Sequence, residues 1–293
     1  MSDYPAIESY LPHETTLAGL PIRRLLPVRQ RRLVGPWCFL DRYGPLSFGP
    51  GKPMDVAPHP HIGLQTVTWL LDGEVVHHDS LGCEGLIHPG ELSLMTAGSG
   101  IAHAEETPSH NSGKLNGVQL WVALPDAHRH VAPHYQRHAD LPLVELPGGR
   151  IHVLAGDVLG HLSPAIAYSP IIGASLTIEQ AMELPLNAAF EHALVVLTGD
   201  LSAEGQALQR DTLYYMAPGR SDLGLRSRAG ARAILLGGAP FGETILMWWN
   251  FVARTPEEIA AVRDDWQSHR RFGDVTAYKG ARIPAPELMR LRP

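Results

Sequence analysis

The sequence holds only two cysteines, Cys38 and Cys83, among 293 residues. A chain of this length can bury its own core, so it needs no disulfide framework, and nothing contradicts a reducing compartment. Positive charge is also in short supply: 24 lysines and arginines face 30 aspartates and glutamates, a net charge of −6. That balance gives no general attraction to phosphate backbones, and direct nucleic-acid binding is not expected. The arginines of RRLLPVRQRR (23–32) alternate with Leu and Val, which reads as the solvated face of an edge strand, where charge blocks aggregation. No apolar run approaches the roughly 18 residues of a membrane helix, so no membrane partner is expected. The opening MSDYPAIESYLPHETTL lacks a basic start followed by an apolar run; no secretory signal is read there, and the cytoplasm is the expected location. The 25 prolines argue against a mostly helical fold, because proline breaks helix interiors.

Histidine is what the chain has in excess. There are 16, against 8 tyrosines and 6 phenylalanines, and most fall between His59 and His138. The chemistry is therefore sought in that stretch.

Most of the sequence reads as short strands with turn punctuation. LQTVTWL (64–70) is apolar and β-branched, Asp72-Gly73 signals a hairpin, and EVVHHD reads as the return strand. ELSLMT follows Pro89-Gly90, and GVQLWVAL (117–124) is a buried strand closed by Pro125. The second half repeats this plan with HALVVL, a turn at Gly199, LSAEGQAL, DTLYYM and ARAILLGG (231–238). Two copies of one β-unit are the expectation, with the boundary near 140–165. Only TPEEIAAVRDDWQSH (255–269) looks helical: Thr255 suits the N-cap, a proline the first turn, and two glutamates the positive end of the dipole.

His59-Pro60-His61 puts two imidazoles at i and i+2, which in an extended segment share one face. His103-Ala104-Glu105 does the same with an imidazole and a carboxylate. Neighbouring strands could bring three histidines and one glutamate around one point. Such donors suit a borderline divalent ion such as iron, manganese, nickel, copper or zinc, and four of them leave open positions on an octahedral ion. Counting from the turn glycines, the second copy has Pro185, Asn187 and Gly224 where the first has His59, His61 and His103, so it should be structural. His77 and His78 read as a strand-end pair, His192 as a satisfied core or surface residue, and Trp248-Trp249 as core.

The spacing from Gly90 through Gly98-Ser99-Gly100 to His103 resembles the second cupin motif, and His59-x-His61 with Gln65 resembles the first. Cupins generally have glutamate where this chain has Gln65, so the carboxylate ligand would come from Glu105, with Gln65 behind the metal. APHPHIGLQTVTWLLDGE, PGELSLMTAGSGIAHAEE, GVQLWVALP, RRLVGPWCFLDRYGP (31–45) and GGAPFGETILMWWNFVARTPEEI (237–259) resemble the pirin family. That resemblance implies an all-β bicupin, two antiparallel β-barrels face to face. Residues 1–140 would form the metal-binding barrel. Residues 141–293 would form a barrel without ligands, carrying the helix and tail. It further implies that His59, His61, His103 and Glu105 hold one divalent ion, iron(II) first, with Mn, Ni, Cu, Co or Zn as alternatives. Several pirins resemble quercetin 2,3-dioxygenases, so the implied partners are a small aromatic substrate and dioxygen. In that reading Glu105 is also the catalytic base, taking the flavonol 3-hydroxyl proton. The alternative is a non-enzymatic, iron-binding redox sensor that acts through a protein partner.

Overall fold

A computed structural model describes residues 4–48 and 54–288. Regular structure among these is strand, apart from one helix, Pro256–Gln267. No helix is long and apolar enough to cross a membrane. The chain forms two compact units. One gathers the N-terminal segment up to Glu14, residues 23–42 and residues 140–241. The other gathers residues 15–22, 43–139 and the chain from Gly242 onward. The helix and tail, expected with residues 141–293, therefore cluster with the histidine-rich unit. The reason is apolar: Ile259, Val262 and Trp266 bury in one cluster with Phe251 and with Ile62, Ala102 and Ala104, which flank the histidines in sequence. Trp248 and Trp249 pack half-buried on the same cluster. The helix begins as the sequence reads, with the Thr255 hydroxyl accepting from the Glu258 N–H at 3.2 Å.

A seven-stranded sheet, most of it in the histidine-rich unit, runs His134–His138, Leu92–Thr96, Leu64–Gly73, Lys114–Ala123, Trp37–Ser47, Leu20–Leu26, His13–Leu17. A four-stranded sheet runs Asp55–His61, Ile101–Glu106, Val75–Asp79, Glu84–Ile87. The other unit repeats the plan. Its large sheet runs Glu8–Tyr10, Leu213–Met216, Glu191–Gly199, Ala231–Gly238, Ile171–Ile178, Gly149–Val158, Leu143–Leu146. Its small sheet runs Ala181–Pro185, Asp222–Arg226, Leu201–Ala203, Gln206–Leu208. The all-β expectation holds. The closed barrels it named are corrected to sandwich-like cupin sheets, because no pairing among the described residues joins the edges of each pair of sheets.

A second correction concerns the hairpin expected at Asp72-Gly73. Leu64–Gly73 pairs with Lys114–Ala123 and Leu92–Thr96. Val75–Asp79 pairs instead with Ile101–Glu106 and Glu84–Ile87. Gly73 is a corner at which the chain leaves one sheet for the other. Its φ is 88°, and a Cβ there would lie 2.2 Å from the Lys114 carbonyl oxygen, so only glycine fits. Gly199 turns the same corner in the other unit, with φ 81° and a Cβ position 2.1 Å from the Gly230 carbonyl oxygen. The shared corner supports the duplicated plan. Its consequence for function is that EVVHHD lies in the histidine sheet rather than beside LQTVTWL.

Candidate metal centre

The edge strand of the four-stranded sheet and its neighbour carry the site. Asp55–His61 runs antiparallel to Ile101–Glu106, with His59 opposite His103 and His61 opposite Ile101. The i, i+2 spacing turns His59 and His61 to the same side, and the register sets His103 against them. The rings of His59 and His103 are 4.3 Å apart, and each lies 5.0 Å from His61. One ring nitrogen from each of the three falls within 4.8 Å of the others, and the three residues are buried. Trp121 stands edge-on to His61 at 5.2 Å and walls that side.

Hydrogen bonds at the far nitrogens decide where the protons sit. His59 Nδ1 donates to the Ala57 carbonyl at 2.9 Å, and His61 Nδ1 donates to the Asn250 carbonyl at 3.0 Å. A carbonyl can only accept, so both Nδ1 atoms carry the proton and both Nε2 atoms keep a lone pair. Asn250 belongs to the turn between Leu246–Trp248 and Phe251–Ala253, in which Trp249 takes a left-handed φ of 51°. His103 Nδ1 lies 3.3 Å from His77 Nδ1, and His77 Nε2 lies 3.2 Å from Asp79 Oδ2.

Burial, with neighbouring imidazoles second, pushes His61 and His103 well below the usual imidazole range. Burial also lowers His59 to about 4. All three rings are therefore neutral at pH 7. His61 Nε2 and His103 Nε2 nonetheless stand 3.1 Å apart. Two imidazole lone pairs at that distance repel unless a cation lies between them or His103 moves its proton to Nε2. The donor set and its proton arrangement thus fit a divalent ion.

Glu105 lies outside the three-histidine group. It is buried, and its Oε1 faces the Thr68 hydroxyl at 3.3 Å. That hydroxyl has a nearer acceptor, Gln119 Oε1 at 2.8 Å, so its single proton serves Glu105 poorly. Burial raises the Glu105 carboxyl to about 7. The pairing with Asp55–His61 also shifts between His103 and Glu105, which face His59 and Val56 respectively. Three of the four expected ligands are together, and the carboxylate stands apart from them. Gln65, expected behind the metal, donates to Thr96 Oγ1 at 2.9 Å.

The sequence reading takes His77 only as half of a strand-end pair with His78 and does not single out Asp79. The signal was available: His77-x-Asp79 is a third i, i+2 pair, and its parity puts both side chains on one face. Reading it required knowing that Val75–Asp79 pairs with the His103 strand, and the hairpin expectation hid that. His192, expected to be satisfied, is buried with its Nε2 unbonded, and burial lowers it to about 4.

Comparison with known proteins bears on the family. The Pirin family pattern matches residues 19–122, and the Pirin C-terminal cupin domain matches residues 171–273. A Pseudomonas aeruginosa protein provisionally named a quercetin 2,3-dioxygenase is 45% identical over 273 residues, covering 92% of this chain and 86% of that protein. The crystal structure of a quercetin 2,3-dioxygenase from Acinetobacter baumannii superposes with a TM-score of 0.93 at 41% identity, over 97% of each chain. The bacterial pirin YhhW from Escherichia coli, solved in complex with nickel(II), shares the fold at 18% identity and a TM-score of 0.63, over 80% of this chain and 100% of that one. Two matched domains and near-complete coverage by these relatives leave one assignment: the chain belongs to the pirin family.

Proposed function

We propose that the protein is a metal-dependent dioxygenase that opens the ring of a flavonol such as quercetin. The observation that carries this reading is a buried trio of neutral imidazoles, each with a ring nitrogen within 4.8 Å of the others, together with a buried carboxyl two residues on from His103 that is poised near neutrality. Likeness to proteins named for quercetin dioxygenation supports the substrate class.

His59, His61 and His103 would hold the ion through Nε2, and iron(II) is the ion we assign to them. A bound divalent ion supplies Lewis acidity toward a substrate hydroxyl and an open position for a small ligand. Glu105 then acts as the base: with its carboxyl at about 7, a large share is ionised at neutral pH, and one oxygen can take the flavonol 3-hydroxyl proton. Losing that proton leaves the ring electron-rich toward dioxygen. To serve as the fourth ligand in the resting site, the ionised Glu105 would have to turn toward the trio, outside which it lies. Trp121 and the burial of the trio keep bulk water from competing.

The test is oxygen uptake. Anaerobically purified chain, reconstituted with iron(II), is given quercetin in an oxygen-electrode cell beside His103→Ala. Uptake that depends on metal and disappears in the variant is the expected result. Bound metal with no uptake would overturn the dioxygenase reading in favour of a redox sensor. No metal bound after reconstitution would overturn the ligand assignment.

A further inference from the structure

We propose that Asp79 and His77 form a proton-ordering chain that fixes His103 in the tautomer able to bind metal, making both of them positioning residues of the centre. This rests on the reading of the histidine trio as a metal site.

The three ligands are not held alike. His59 and His61 donate to backbone carbonyls, which cannot donate in return, so their tautomers are set locally. His103 faces another imidazole, which can either donate or accept. The direction of that bond is decided one step further out. Asp79 Oδ1 accepts the backbone N–H groups of Leu81 and Cys83 at 2.9 and 3.0 Å, and its Oδ2 faces His77 Nε2. A carboxylate only accepts, so the His77 proton sits on Nε2 and its Nδ1 offers a lone pair. His103 must then carry its own proton on Nδ1, which frees Nε2 for the ion.

The surroundings hold this chain in place. Val75–Asp79 pairs with the His103 strand, setting Asp79 opposite His103 and His77 opposite Glu105. Tyr135 stacks on the His77 ring at 4.2 Å and 5°, which fixes its plane. Gly85 lies opposite His77 in the next strand, and a Cβ there would fall 2.3 Å from the Tyr135 hydroxyl oxygen. The sheet thus gives up a side chain to admit the ring that clamps His77.

Asp79→Asn is the decisive change. Its Oδ1 still serves the turn, but the amide NH2 replaces Oδ2 and donates to His77. The His77 proton moves to Nδ1 and faces the His103 Nδ1 proton, and His103 is driven to the tautomer with Nε2 protonated. His77→Phe keeps the stack on Tyr135, leaves His103 Nδ1 unpartnered and takes from Asp79 Oδ2 its imidazole partner, without inverting the proton order.

The test is nickel(II) affinity of the metal-free full chain by titration calorimetry, with the thermal midpoint of each metal-free variant as the check on folding. Asp79→Asn should bind nickel(II) about 10–100-fold more weakly than wild type. His77→Phe should lose less, and the double variant should be no worse than His77→Phe, because the inverted chain needs His77. A role for Asp79 in the turn alone predicts additive losses instead. Unchanged affinity in Asp79→Asn, or losses that add, would overturn the proposal. Should Asp79→Asn not fold, His77→Gln decides. Its amide oxygen can accept from His103 Nδ1 and should hold affinity near wild type, and a loss equal to that of His77→Phe overturns the chain. Failure of the wild type to bind nickel(II) would instead sink the metal centre itself, and this proposal with it.

Discussion

The small sheets of the two sandwiches bury very different side chains. In one, paired strands bury His59, His61, His103 and Glu105. In the other, Ala181–Pro185 and Asp222–Arg226 pair with Met182 opposite Leu225 and Leu184 opposite Leu223, and all four belong to a continuous apolar core. Both units turn the same glycine corner into these sheets. The plan is common, and the inward residues separate a site from a scaffold. A buried leucine stabilises by about 1.5–3 kcal/mol through lost water contact. A buried imidazole with an unmatched lone pair costs about 1–3 kcal/mol until something binds it. The histidine sandwich therefore gives up stability that its counterpart keeps, and an ion bound to the trio would restore it.

This contrast can be broken most severely in the apolar sandwich. Leu184→Ala should cost about 2–5 kcal/mol of stability in denaturant unfolding and leave nickel(II) affinity unchanged. A loss of affinity would mean that the two units do not divide the labour as described.

Next is the pH dependence of Glu105. Its carboxyl is raised from 4.5 to about 7 in the folded, metal-free protein. The folded state then holds a proton that the unfolded chain has released, so this contribution is present below pH 4.5 and lost as pH rises to about 7. The stability of metal-free Glu105→Gln relative to wild type should rise from near zero at the acid end to about 3 kcal/mol above pH 7. A flat difference across that window would remove the burial argument.

Metal should sharpen the comparison. At about 100 times its dissociation constant, an ion adds roughly 2.7 kcal/mol to the unit that binds it. Hydrogen exchange should slow in Asp55–His61 and Ile101–Glu106 and stay unchanged in Ala181–Pro185 and Asp222–Arg226. Equal protection of both would show that the units respond as one.

The smallest effect is at the helix. Thr255→Ala removes the cap on Pro256–Gln267 and should cost about 1 kcal/mol. Because this helix packs behind Ile62 and Ala102, nickel(II) affinity should fall slightly if the helix braces the ligand strands, and not at all if it only covers them.

Much of this was legible in the sequence because it depends on local spacing. Parity alone put His59 with His61 and His103 with Glu105, and Thr255 with its following proline marked the helix. What escaped depended on register between distant strands. Asp72-Gly73 looks like a hairpin because a left-handed glycine serves a tight turn and a sheet corner equally well. Misreading that corner moved His77 and Asp79 to the wrong sheet. Glu105 had the right parity, yet its group is apart from the trio, and no local pattern announces where a pairing shift falls. The Asn250 carbonyl that orients His61 is equally invisible, since any residue supplies a carbonyl.

That last bond has a consequence for how the protein is made. His61 and Asn250 are 189 residues apart in the chain. At synthesis rates of about 5–20 residues per second, roughly 10–40 s pass between the appearance of the ligand and that of the carbonyl that fixes its proton. Once His103 has been added, 42 residues into that interval, all three histidines exist on the ribosome, but His61 has no fixed tautomer. A finished centre is therefore a property of the nearly complete polypeptide. A product that terminates before the Leu246–Ala253 hairpin would carry all three histidines and still lack the carbonyl that orients His61.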